Sequence, residues 1–211
     1  MDKIAQNRAV NNKIEGNGTL TDTFARTISY LRLSLTDKCN LRCLYCTPKS
    51  GDYKQDHKDL LSYEELLRIT SLSVDLGIRK VRLTGGEPLI RRDVDLFMKK
   101  LTSIPALNDV RLTTNGVLLE KYAGELYEAG IKKINVSLDT LKKDKYKKIT
   151  GLDRFDQVWR GIEKILDLGF FKVKLNVVAL KGVNDDEFLD FARLSLFHNL
   201  EVRFIEYMPL G

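Results

Sequence analysis

The chain has 211 residues, 43% hydrophobic and 30% charged, with a net charge of +6 at pH 7 and three cysteines. That is one domain's worth of an ordinary globular protein, long enough for a sizeable core. An odd number of cysteines in a chain this long argues against a disulfide-stapled secreted scaffold, and no apolar run approaches the roughly 18 residues of a membrane span.

Residues 1–20 are polar, rich in Asn and mixed in charge. They fit neither a secretory signal nor an Arg-rich transit peptide and read as a flexible lead-in. Thiols kept reduced, with no export signal, imply a cytoplasmic protein. The lysines are dispersed along the chain as on a solvated surface, and no nucleic-acid motif accompanies the mild basicity.

The first strand is read at Ser29–Leu35, where apolar and polar residues alternate. It leads directly into Cys39-Asn40-Leu41-Arg42-Cys43-Leu44-Tyr45-Cys46, which holds all three cysteines in the spacing C-x3-C-x2-C. Structural zinc and ordinary iron–sulfur clusters both take four ligands, and here only three thiolates are offered. His57 and His198 are distant in sequence. A four-iron cluster on three thiolates leaves one iron open to a small molecule, as chemistry requires and structural sites avoid. Zinc completed by a distant Asp or His, or three unrelated thiols, are the alternatives.

Residues 47–60 are polar, with Pro48 and Gly51, and read as a loop. Ser62 and Glu65 have capping-box spacing for a helix that ends at Gly77. A helix end, a glycine and a strand then recur at 75–84, 128–137 and 167–176. With further strands at 109–114 and 201–207 and helices near 92–103, 117–129, 155–168 and 185–197, this predicts six strands and at least five helices. Such units imply a parallel sheet with crossover helices. All six strand ends carry polar or metal-binding residues. That favours a partial (β/α)6 barrel over a doubly wound sheet, which concentrates function at one switch point. Strand parity turns Arg32, Ser34, Lys80, Arg82, Arg111, Asn135, Lys174 and Asn176 inward. Glu206 and Asp139 are expected to pair with some of these cations, and the excess suggests a polyanionic ligand. The glycine pair in Gly85-Gly86-Glu87-Pro88 is expected to bring backbone N–H and C=O groups close to a ligand.

The cysteine loop, with an aromatic residue before the last Cys, resembles the signature of the radical S-adenosylmethionine enzymes. In that family the three thiolates hold a [4Fe–4S] cluster whose open iron takes S-adenosylmethionine, and electron transfer yields a 5′-deoxyadenosyl radical. The resemblance assigns the cluster to Cys39, Cys43 and Cys46. It assigns S-adenosylmethionine contacts to Tyr45 through its backbone, Gly86, Ser137 and Met208, the last of which could equally be core filling.

Six further stretches narrow the resemblance. They are Asp22–Arg26, Leu31–Asn40, Val81–Asp93, Leu112–Gly116, Ile134–Asp139 and Val202–Met208. Together they are similar to the GTP 3′,8-cyclase family of molybdenum cofactor biosynthesis, with residues 21–211 as the core barrel. The similarity implies that Arg32, Arg82, Thr113, Lys174 and, more weakly, Lys80 contact GTP. The deoxyadenosyl radical would take hydrogen from ribose C3′, and the carbon radical would attack guanine C8 to give 3′,8-cyclo-GTP. An electron donor, a small molecule or a protein, is implied. The family continues beyond the barrel into a region with a second three-cysteine cluster. This sequence has no cysteine after Cys46. The expectation is a fragment, truncated product or split-enzyme half that binds cluster and cofactor but forms little cyclic product alone. A homodimer, or a second chain supplying that region, is the expected partner. A radical enzyme acting on another substrate and a non-catalytic metal-binding scaffold are the competing readings.

Overall fold

The computed structural model describes residues 19–46 and 60–208. The expected lead-in, apart from Thr19 and Leu20, and the expected loop at 47–60, apart from Leu60, lie outside the described residues, as does His57. Leu20 is anchored: its N–H reaches Leu76 O at 3.1 Å and its carbonyl accepts from Ile28 N at 2.8 Å.

Six strands alternate with helices in the order β1 (Tyr30–Ser34), α1 (Tyr63–Asp75), β2 (Lys80–Thr84), α2 (Val94–Thr102), β3 (Asp109–Thr114), α3 (Leu119–Glu128), β4 (Lys133–Ser137), α4 (Lys143–Thr150), α5 (Phe155–Asp167), β5 (Lys172–Ala179), α6 (Phe188–Phe197) and β6 (Leu200–Glu206). The expected strands are all present. Helix α4 was not anticipated. Its sequence, Lys-Asp-Lys-Tyr-Lys-Lys-Ile-Thr, reads as a charge run, and only Tyr146, Ile149 and Thr150 are buried. So narrow a stripe is set by packing rather than by propensity.

All pairings are parallel and the strand order is β1-β2-β3-β4-β5-β6. This order decides between the two architectures. A doubly wound sheet reverses direction at a switch point, whereas here every crossover advances the same way. Right-handed crossovers that always advance put all the helices on one face, which gives an open barrel. The two faces have opposite chemistry. Val81, Leu83, Leu112, Ile134, Val136 and Leu175 face the helices and are fully buried. Each such side chain contributes about 1.5–3 kcal/mol by leaving water. The other face is polar and charged apart from Tyr30 and the Val178–Ile205 pair at the tips of β5 and β6.

Local signals behave as the sequence predicts. Ser62 Oγ accepts from Glu65 N at 3.1 Å and Glu65 Oε2 accepts from Ser62 N at 2.7 Å, completing the capping box that starts α1. Gly77, Gly130 and Gly169, the glycines of the three repeats, have φ of 98°, 80° and 72°, the left-handed conformation that ends each helix. Among the described residues no helix is long and apolar enough to cross a membrane.

Candidate active site at the strand tips

The loop after β1 is built against the loop after β2. Leu35 N donates to Thr84 O at 2.8 Å, Gly86 N to Thr36 O at 2.7 Å and Glu87 N to Lys38 O at 2.8 Å. A Cβ on Gly86 would stand 2.2 Å from Lys38 O, and one on Gly85 would stand 2.4 Å from Thr36 O. The glycine pair is therefore required by the neighbouring backbone. Of the backbone groups expected to meet a ligand, the Gly86 N–H is taken up by Thr36 O, as the neighbouring Glu87 N–H is by Lys38 O.

The cysteine loop itself rests on α4. Arg42 N donates to Thr150 O and Leu44 N to Ile149 O, both at 2.9 Å, so the loop satisfies carbonyls that the helix end leaves open. Side chains from two other strand tips reach it. Tyr45 Oη donates to Asp139 Oδ2 at 2.5 Å, and Asp139 Oδ1 accepts from Val178 N at 2.8 Å. Asn115 Nδ2 donates to Asn40 Oδ1 at 2.7 Å and to Cys39 Sγ at 3.6 Å. Glu87, fully buried, accepts from Leu89 N at 3.0 Å, Thr114 Oγ1 at 2.8 Å and Asn115 N at 2.6 Å. Burial nevertheless pushes its carboxyl up to about 7.

The three thiols lie close enough to disturb one another. Burial first, then Asp139, then Cys39 and Cys46 push the Cys43 thiol up to about 12. Burial also raises Cys39, against hydrogen bonds from Leu41 N and Asn115. A bound cation inverts this: thiolates crowded among anions become the preferred state. Among the described residues no three His, Cys, Asp or Glu side chains gather as a single metal ion requires. An all-thiolate donor set on one short, backbone-anchored loop fits a polynuclear iron–sulfur cluster, whose ligands need not meet at one point. His198 follows α6, and its ring meets Trp159 edge-on.

The inner face of the sheet carries the expected cations in register. Arg32 pairs with Arg82, Arg82 with Arg111, Arg111 with Lys133 and Lys133 with Lys172, a continuous row over five strands. Like charges side by side across strands are unfavourable without counter-charge. Two carboxylates supply some. Asp109 bonds Arg111 at 2.5 Å and Lys133 at 3.1 Å. Burial works to raise its carboxyl, but the bonds from Arg111 and Lys133 outweigh it and hold the group below the ordinary range. Glu201 contacts Lys174, Arg203 at 2.7 Å and Lys172 at 3.5 Å. Hydrogen bonds from Lys174 and then Arg203 bring Glu201 down to about 2. Burial pulls the Lys174 ammonium down even so.

The expected neutralisers are not the ones used. Asp139 is occupied by Tyr45 and Val178, and Glu206 is exposed at the end of β6. Among the described residues Arg32, Lys80 and Arg82 have no carboxylate partner. Arg82, 8% exposed, donates through Nε to Tyr30 Oη at 2.5 Å and through a terminal nitrogen to Thr113 Oγ1 at 3.1 Å. Lys80 Nζ lies 5.6 Å from the centre of the Tyr30 ring. The structure thus brings Arg32, Lys80, Arg82 and Thr113 onto one wall and sets Lys174 on the opposite side with Glu201. Ser137 is half-buried at the tip of β4, in register with Asn176. Met208 is 73% exposed among the described residues.

Comparison with known proteins gives the family. The model of the radical SAM superfamily matches residues 33–195. The chain belongs to the radical SAM superfamily. Within curated proteins it is 50% identical over 192 residues to the GTP 3′,8-cyclase of Alkaliphilus metalliredigens and 49% identical over 192 residues to that of Heliobacterium modesticaldum. Each alignment covers 91% of this chain but 60% and 59% of the relative, so the chain spans about three-fifths of their length. Among solved structures, Streptococcus suis SuiB bound to S-adenosylmethionine superposes with a TM-score of 0.68 at 19% identity, over 87% of this chain and 40% of that one. That likeness carries the fold.

Proposed function

We propose that the chain is the radical-generating core of a GTP 3′,8-cyclase, a lyase acting in molybdenum cofactor biosynthesis. Cys39, Cys43 and Cys46 hold one [4Fe–4S] cluster. With S-adenosylmethionine bound, a reduced cluster of this kind supplies a 5′-deoxyadenosyl radical. The chain's own residues do the rest. Backbone of the Gly85–Gly86 turn would contact the cofactor's amino group, and Ser137, Met208 and the backbone of Tyr45 would be its further contacts. Arg32, Lys80 and Arg82 bind the triphosphate of GTP, with Thr113 and Lys174 beside it, so that the ribose faces the cofactor. The hydrogen at C3′ is the one removed, and C8 of guanine is the atom attacked. The electron comes from a small-molecule or protein donor in the cytoplasm.

The observation that carries this reading is the trio Arg32, Lys80 and Arg82. These cations line one wall of the barrel whose rim bears the cysteines, and no carboxylate among the described residues neutralises them. Arginine suits bidentate phosphate binding, and its burial is costly without an anion. Anaerobic reconstitution tests the reading. About four irons and four sulfides per chain are expected, lost on Cys39→Ala, Cys43→Ala or Cys46→Ala. Reductant-dependent release of 5′-deoxyadenosine should rise when GTP is added. One zinc per chain, or cofactor cleavage indifferent to GTP, would overturn it.

A further inference from the structure

The side chain of Asn115 has a complete hydrogen-bond account. Its Oδ1 accepts from Val117 N at 3.0 Å, which fixes which end of the amide is which. The two hydrogens on Nδ2 then have two acceptors, Asn40 Oδ1 at 2.7 Å and Cys39 Sγ at 3.6 Å. The backbone N–H of the same residue is held at 2.6 Å by the buried carboxyl of Glu87, which also grips Leu89 N and Thr114 Oγ1. Thus the tip of β3, the loop after β2 and the first cysteine are joined through one amide. The other short-range donor to that sulfur is Leu41 N at 3.4 Å.

We propose that Asn115 is a positioning residue that sets the reduction potential of the cluster on Cys39, by donating Nδ2–H to the cysteine sulfur from a frame fixed by Glu87, Asn40 and Val117. The proposal rests on Cys39 being a cluster ligand. Reduction adds one electron, and negative charge accumulates on the sulfurs. A hydrogen bond to sulfur stabilises the reduced state more than the oxidised state and so raises the potential. A carboxylate in the same place would do the reverse.

The test is an anaerobic redox titration of the reconstituted protein, followed by the electron paramagnetic resonance of the reduced cluster. The variants are Asn115→Ala, Asn115→Asp and Asn40→Ala. Asn115→Asp keeps the acceptor for Val117 N while replacing the donor with an anion. Asn40→Ala removes the loop tether but leaves the donor to sulfur in place. The expected result is wild-type iron and sulfide content in all three. Asn115→Ala should lower the one-electron reduction equilibrium constant about tenfold, a fall of about 59 mV. Asn115→Asp should fall further, and Asn40→Ala should stay at or above wild type. Unchanged potentials in both Asn115 variants would overturn the proposal. So would equal shifts in Asn115→Ala and Asn40→Ala, since a loop tether alone would then explain them. Loss of iron in both Asn115 variants from a protein that otherwise binds it would also overturn it, in favour of a purely structural tether. Failure of the underlying reading is distinct, because wild type itself would then take up no iron.

Discussion

Replacing Gly86 by alanine should loosen the cysteine loop by an amount that the contacts allow to be worked out. The new Cβ would lie 2.2 Å from Lys38 O, 2.5 Å from Lys38 C and 2.6 Å from Asp37 O, all backbone atoms. To restore ordinary contact the two loops must part by about 1 Å. That opens the Gly86 N–Thr36 O and Glu87 N–Lys38 O bonds. Each is worth about 1 kcal/mol net, and overpacking adds about 1–3 kcal/mol, for a total of about 3–5 kcal/mol. Against a typical stability of about 5–15 kcal/mol the variant should fold but be markedly weakened. Urea unfolding of the metal-free protein, followed through the single tryptophan, Trp159, reads this directly. Gly124→Ala is the matched control. Gly124 lies inside α3 with nothing within 4 Å of its added Cβ, and the same change should gain about 0.5–1 kcal/mol. A Gly86→Ala protein within about 0.5 kcal/mol of wild type, with full iron uptake, would refute the close-approach argument.

Two further outcomes follow from the charges. Burial raises the Glu87 carboxyl from its ordinary 4.5 to about 7, so the folded state binds this proton more tightly than the unfolded chain. Its contribution to stability is therefore full below pH 4.5 and lost as the pH rises through 7, a change of about 3 kcal/mol. Glu87→Gln should remove that slope, and urea midpoints measured at pH 5 and pH 8 would tell; parallel profiles in the two proteins would contradict it. In the barrel, Arg82→Ala should weaken GTP binding more than tenfold, about 1.5–3 kcal/mol for a charge-assisted contact, while Lys133→Ala, whose partner is Asp109, should change it less than threefold. Titration calorimetry with GTP separates the two, and equal losses would defeat the assignment.

What the sequence makes legible here is what local pattern controls. The cysteine spacing, the capping box at Ser62 and Glu65, the three helix-ending glycines and the period-two alternation need no knowledge of distant neighbours. The side of the sheet on which Arg82 or Lys174 lies follows from parity alone. The partners of those cations do not. Asp109 stands two residues before Arg111 on β3, so parity alone could have joined that pair, but only inter-strand register sets Asp109 beside Lys133 and Glu201 beside Lys174. Asp139, at a strand tip where an ion pair was expected, instead accepts from the Tyr45 hydroxyl. The two groups are separated by 94 positions, and nothing in a single sequence signals that pairing. The same holds for Asn115, visible as one of several polar tip residues but not as the donor to Cys39. For Gly86 the sequence signals a close backbone approach, but not that the chain's own Lys38 is among the groups approached.

The polar inner face of the sheet has one more consequence. Cohesion comes from the helix-facing side, so residues such as Arg32, Lys80 and Thr113 can be exchanged without touching the interior that keeps the molecule folded. A scaffold arranged this way can change what it holds while keeping its shape, and selection can rewrite the lining and the packing as two separate texts.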